Sequence, residues 1–181
     1  MQRIYLDNAA TTAIRPEVVD EMANVMKNVF GNPSSTHVFG REAKALIELS
    51  RKNIAQRLNV TPAEIYFTSC GTESNNTIIR SCVNDLDVTR IITTDMEHKC
   101  VQESIIDLER RGKVDVIRLN ILKDGNIDYA QLEELIQDQS KKTLVSLMHA
   151  NNEIGNLTDV KYIAQLCHAN NALFHTDTVQ T

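Results

Sequence analysis

The chain predicts an α/β fold: a largely parallel sheet with helices packed on both of its faces. Three observations carry this expectation. Helical and strand-like segments alternate along the 181 residues. The strand-like segments, such as "RIITT", "VDVIRL" and "TLVSLMHA", are apolar in near-continuous runs, as befits strands covered on both sides. No repeat, low-complexity tract or linker interrupts the alternation.

The elements follow in order. "PEVVDEMANVMKNVF" opens with Pro16, suited to a first helical position, and puts Val19, Met22, Met26 and Val29 on one helical face. "REAKALIELSRKNIAQRL" repeats the pattern with Ala43, Ile47, Ile54 and Leu58. "TPAE" has the form of a capping box, Thr61 and Glu64 around Pro62. "IYFTS" is expected to be the first strand and "CGTESNNTIIRSCV" a turn entering a helix. "RIITT" is a strand, "KCVQESIIDLERRG" a helix closed by Gly112, and "VDVIRL" a strand. "IDYAQLEELIQD" is a helix capped by Asp128. "TLVSLMHA" is a strand, "TDVKYIAQLCHANN" a helix and "ALFHTDT" the last strand.

Composition narrows the function. Apolar residues make up 42% of the chain and charged residues 24%, enough for a buried core beneath a polar surface. The net charge of −5 argues against nucleic acid as the main partner, because phosphate neutralisation needs clustered Lys and Arg. No apolar run approaches membrane-spanning length. "MQRIYLDNAATT" has no export-signal core and no basic amphipathic leader, so a cytoplasmic location is expected. Cys70, Cys82, Cys100 and Cys167 lie far apart, which favours reduced thiols over a disulfide framework or a metal site.

Ligands of parallel sheets bind beyond the carboxyl ends of the strands. There the sequence puts Gly71 and Thr72, then Glu97 and His98, then His149, Asn151 and Asn152, and finally His175, Asp177 and Gln180. The turn at Gly71–Thr72 enters a helix N-terminus, which favours an anion such as phosphate or is simply capped by Thr72 or Ser74. His98 suits stacking on a planar ring, proton transfer or a structural place. Asn152 suits a hydrogen bond to a phenolic oxygen or the holding of a turn. Asp177 carries more information, since burying a carboxylate costs roughly several kcal/mol unless a positive or hydrogen-bonding group meets it. A protonated pyridine nitrogen, a histidine or a backbone amide would each serve.

"YLDNAATT", "GNPSSTH", "FTSCGTESNN", "MEHKC", "MHANNEIG" and "FHTDTVQ" occur in this order. In order and spacing the chain resembles, over its whole length, the NifS/IscS-type cysteine desulfurases. These are class V members of the fold-type I enzymes that use pyridoxal 5′-phosphate (PLP). The resemblance implies the N-terminal part of the fold-type I large domain over residues 16–181, with residues 1–15 belonging to the small domain. It implies that Gly71 and Thr72 hold the PLP phosphate, and that His98 stacks on the ring and is a candidate acid/base. Asn152 and Gln180 would approach the phenolic oxygen, Asp177 would pair with the ring nitrogen, and Asn32 and His37 would lie on the substrate side. The implied reaction converts L-cysteine to L-alanine and leaves the sulfur on an enzyme cysteine, for iron–sulfur cluster assembly or thiolation. The implied partners are a sulfur acceptor or iron–sulfur scaffold protein and a second copy of the enzyme. Two positions depart from the pattern: Cys70 stands where the family usually has Gly, and Thr178 where it usually has Ala.

The same resemblance sets the PLP lysine, the arginine for the substrate carboxylate and the catalytic cysteine beyond Thr181. The expectation is therefore an N-terminal portion of a desulfurase, inactive alone. A non-catalytic or split-gene module, and a related class V enzyme such as a selenocysteine lyase, are the alternatives.

Overall fold

The computed structural model describes residues 3–181, which form two compact units dividing after Phe67. No change of composition marks that boundary.

The first unit carries helices α1 (Pro16–Asn28) and α2 (Val38–Leu58) and a 3₁₀ turn at Pro62–Glu64. Pro16 starts α1 as its pattern predicts, because proline has no N–H to leave unsatisfied there. Glu64 Oε2 accepts hydrogen bonds from the backbone N–H of Thr61 at 2.8 Å and from its hydroxyl at 2.7 Å, so the capping signal closes a short turn rather than a full helix.

"IYFTS" differs from expectation. It runs extended from Ile65, yet it is not a strand of the sheet. Arg51 of α2 donates to the Ile65 carbonyl and lays its guanidinium 4.9 Å from the centre of the Phe67 ring. One ladder acceptor is thus taken by a side chain, and among the described residues no strand lies alongside to pair with the rest.

The second unit is the parallel α/β body. Its helices are α3 (Gly71–Asn84), α4 (Lys99–Arg110), α5 (Tyr129–Ile136) and α6 (Val160–Ala169). Its strands are β1 (Arg90–Thr93), β2 (Asp115–Arg118), β3 (Thr143–Ser146) and β4 (Leu173–His175), in the order β2-β1-β3-β4 and all parallel.

The strands separate their side chains into two cores. Ile91 and Leu144 join Ile79, Val101, Ile105 and Leu108, from α3 and α4, on one face. Ile92 and Val145 join Leu132, Ile136 and Ile163, from α5 and α6, on the other. Both faces are covered, as the continuous apolar runs predict.

The caps agree too. Asp128 accepts the Gln131 N–H at 3.1 Å and Asp159 the Tyr162 N–H at 3.0 Å. Gly112 ends α4 at φ +65°, a left-handed conformation that glycine adopts at little cost. Arg90, 4% exposed, donates to Thr143 Oγ1 at 2.9 Å and to Asp138 Oδ2 at 2.7 Å, tying the α5–β3 turn to β1.

Chain reversal falls between β1 and β3. From β1 the chain leaves to β2 on one side; from β2 it crosses back over β1 to β3 and continues outward to β4. In an open parallel sheet the ligand crevice lies at this switch, beyond the carboxyl ends of the strands.

Candidate functional site

Three of the expected strand ends meet at that switch. Beyond β1 the chain turns through Thr94 to His98 before α4. Glu97, 4% exposed, reaches across to the end of β3, where its Oε1 accepts the Met148 N–H at 2.9 Å; the Thr94 hydroxyl donates to the same oxygen at 3.2 Å. Its Oε2 is buried and has no partner among the described residues. Burial pushes the carboxyl up to about 7; the Met148 and Thr94 hydrogen bonds oppose this, and the negative charge of Asp177 adds to it.

The β3–β4 ladder continues past both strands, with Leu147 N–H donating to the His175 carbonyl at 3.1 Å and His149 N–H to the Asp177 carbonyl at 3.0 Å. This fixes the backbone of Asp177 beside the end of β3. The carboxylate, 7% exposed, accepts Asn75 Nδ2–H on Oδ2 at 2.8 Å and the Val179 N–H on Oδ1 at 3.0 Å. No Lys, Arg or His forms an ion pair with it among the described residues. Two N–H donors therefore satisfy part of the carboxylate, as a purely structural acid would require, and lone pairs remain on both oxygens for a cationic N–H.

Asn75, 5% exposed, is the centre of this arrangement. Its Nδ2 also points at Cys100 Sγ (3.4 Å), and its Oδ1 lies 3.1 Å from His175 Nε2. His175 Nδ1 in turn lies 2.9 Å from Ser146 Oγ. Burial lowers the His175 pKa, against the pull of Asp177, and so favours the neutral ring.

His98 is the N-cap of α4. Its Nδ1 accepts the Cys100 N–H at 3.2 Å and sits 3.0 Å from Cys100 Sγ, which leaves Nε2 as the outward-facing nitrogen.

The start of α3 is open in the way the sequence suggests. No side chain caps it: the Ser74 hydroxyl turns to Thr68 Oγ1 (2.6 Å) and the Cys70 carbonyl (3.4 Å). The N–H groups of Gly71 and Thr72 find no backbone acceptor among the described residues. Cys70, exposed at the N-cap, has its thiol pKa lowered by the Glu73 N–H and the Ser69 hydroxyl. At Gly71 a Cβ would come within 2.7 Å of Val179 Cγ2, so the Val179 side chain would have to turn away to admit it. A cleft of about 290 Å³ between them is lined by Gly71, Ser74 and Asn75, and by His175, Asp177 and Val179.

Not every expected residue joins this arrangement. Asn152 is half-buried in the turn after β3, but the turn itself is held by Asn151, whose Oδ1 accepts the Glu153 and Ile154 N–H groups and whose Nδ2 donates to the Met96 carbonyl. Gln180 is exposed. Asn32 and His37 belong to the first unit. There Asn32 Oδ1 accepts the Ser34 N–H at 2.9 Å, and His37 caps α2 by accepting the Gly40 N–H at 3.3 Å. Sequence reasoning passed over Asn75 and the special state of Glu97. Glu97 was legible as an acid directly after a strand; Asn75 lies on a helix 102 positions from Asp177 and carries no local signal.

The second unit is thus a parallel α/β domain with the first turn of α3 and the buried Asp177 carboxylate on one cleft. The aminotransferase class-V family model matches residues 4–181, and the chain belongs to that family. Its fold is that of NifS-like PLP enzymes. It superposes on a NifS-like protein with a TM-score of 0.93 at 37% identity, covering 99% of this chain and 50% of that one. A structure of SspA in complex with cysteine gives 0.87 at 32% identity, over 96% and 50%. Among curated relatives, a mitosomal cysteine desulfurase of Trachipleistophora hominis is 41% identical over 98% of this chain and 41% of its own length. The cysteine desulfurase IscS of Buchnera aphidicola is 41% identical over 98% and 45%. The chain thus spans less than half the length of these relatives. No described helix is long and apolar enough to cross a membrane.

Proposed function

We propose that these residues are part of a PLP-dependent cysteine desulfurase, which takes sulfur from L-cysteine, releases L-alanine and passes the sulfur to an acceptor thiol. The observation that carries the reading is Asp177: a buried carboxylate with two N–H donors and no cation, on the same rim as an uncapped helix N-terminus. Acceptor lone pairs at one place and helix N–H groups without a backbone acceptor at another fit a phosphate-bearing pyridinium. Similarity to named cysteine desulfurases over 98% of this chain, and a related structure in complex with cysteine, support the substrate.

PLP, when bound, supplies an electron-withdrawing ring that stabilises negative charge developing beside the substrate nitrogen. The residues of this chain would bind and polarise it. Gly71 and Thr72 would donate their N–H groups to the phosphate, where the α3 dipole favours negative charge. Asp177 would accept from the ring nitrogen and hold a proton there, its orientation set by Asn75 and Val179. His98, anchored through Nδ1, would stack on the ring and move protons at the substrate through Nε2. Asn152 and Gln180 would donate to the phenolic oxygen, and Asn32 and His37 would serve the substrate side. The full protein would work as a cytoplasmic homodimer that hands sulfur to an acceptor or an iron–sulfur scaffold protein.

The test is alanine formation from L-cysteine by the full-length protein, with and without Asp177→Asn. The variant should still bind PLP through the phosphate turn but lose about 100-fold or more in turnover, the scale of removing a preorganised electrostatic group. Wild-type turnover in the variant would refute the assignment.

A further inference from the structure

We infer that Asn75 is a positioning residue that locks Asp177 and links it by directed hydrogen bonds to His175 and Ser146 on one side and to Cys100 and His98 on the other. The inference rests on the function proposed above, and it assigns a role to residues which that function leaves aside.

The directions follow from donor and acceptor chemistry. An ionised carboxylate only accepts, so the Asn75 atom 2.8 Å from Asp177 Oδ2 is the amide nitrogen. That places its carbonyl oxygen against His175 Nε2 at 3.1 Å, so Nε2 carries the proton. The neutral ring then offers a bare Nδ1, and Ser146, 2.9 Å away and fully buried, must donate to it. The second Asn75 N–H points at Cys100 Sγ at 3.4 Å, and that thiol in turn faces His98 Nδ1 at 3.0 Å. Both N–H groups and the carbonyl of Asn75 are thus in use. No other side chain in the group could take its place: serine has too few donors, and an acid would face Asp177 with a like charge.

Asn75 and its network come from five elements: Asn75 from α3, Ser146 from β3, His175 from β4, Asp177 from the loop after it, and Cys100, with its capping His98, from α4. A rigid amide at their centre transmits the positions of α3 and α4 to the carboxylate. Its loss would let Asp177 rotate and would remove one of the two N–H donors that orient it. The proton on a bound pyridine nitrogen would then be held less firmly, while cysteine capture, which Asn75 does not touch, would be unchanged. The expected signature is a fall in kcat at constant KM.

The experiment uses the full-length protein with Asn75→Ala and Asn75→Ser. First, nitrogen NMR of the wild-type imidazoles should show His175 as the neutral Nε2–H form; an Nδ1–H form or an imidazolium at neutral pH would overturn the relay, and this readout needs no cofactor. Second, with nitrogen-labelled PLP, the wild type should show a protonated ring nitrogen and the variants a shift towards the unprotonated signal. Third, kcat per bound PLP should fall about tenfold, as when supporting hydrogen-bond partners of a site are removed, with KM for cysteine within about twofold. Folded variants with an unchanged ring-nitrogen signal and unchanged kcat per PLP would overturn the inference. If both variants fail to fold, the wild-type tautomer decides it alone. If the wild type binds no PLP and makes no alanine, the proposed function fails, and the relay still stands or falls on the His175 tautomer.

Discussion

At Glu97, burial changes which charge state the folded protein prefers. Its carboxyl is raised from 4.5 to about 7, so between these values the folded chain holds a proton that the unfolded chain has released. Stability from this group is fully present below pH 4.5 and is lost as pH rises to about 7. The loss is on the order of 3 kcal/mol at most, from the linkage between proton binding and folding. His175 acts in the opposite sense: its pKa is lowered, so its contribution is present above pH 6.5 and is lost as pH falls through the folded value. The two slopes overlap, and a substitution separates them. Glu97→Gln keeps an acceptor for the Met148 N–H and the Thr94 hydroxyl and carries no charge. Denaturant unfolding from pH 4.5 to 8 should show the variant gaining on the wild type as pH rises, with the gap levelling off above about pH 7. A constant difference between the two would show that Glu97 does not titrate in this range.

At the scale of elements, the helix starts differ in how their first N–H groups are met. Asp128 and Asp159 cap α5 and α6 with their own carboxylates, His37 and His98 cap α2 and α4 with ring nitrogens, and α3 has no side-chain cap. Its first turn lines the cleft that Asp177 also borders. Asp128→Ala leaves the Gln131 N–H without its acceptor and should cost about 1 kcal/mol of stability. Arg15→Ala at the N-cap of α1, where no side-chain cap bond exists, should cost almost nothing. Comparison of the two unfolding midpoints checks this. Most elements were legible in the sequence, because Pro16, Asp128 and Gly112 punctuate apolar patterns of clear period. "IYFTS" was not: its five β-prone residues suit a strand, but strand formation also needs a neighbour, and Arg51 holds the Ile65 carbonyl instead.

For the molecule as a whole, the sheet sorts adjacent residues of one strand into different cores, and stability depends on both. Leu132, wholly buried beneath the face that carries Ile92 and Val145, has no solvent-exposed surface to lose. Leu132→Ala should therefore cost about 3 kcal/mol, the transfer of the side chain plus the cavity left behind. Leu122→Ala, at a position 47% exposed, should cost under about 1 kcal/mol. Thermal or denaturant melting of the two variants makes the comparison, and equal losses would contradict the two-core description.

What the sequence determined by itself was periodic or punctuated: helices from three-to-four spacing, buried strands from unbroken apolar runs, and a rim of polar residues just past the strand ends. It also carried Asp177, because an acid at the close of an apolar strand conflicts with its surroundings and so demands a partner. The partner's identity was a matter for tertiary structure alone. Asn75 meets Asp177 across 102 positions, and Glu97 loses its ordinary acidity only because the fold buries it and brings the charge of Asp177 near. Side-chain spacing along a chain reports which face a residue occupies, whereas hydrogen-bond partners and local dielectric depend on which distant segments fold against that face.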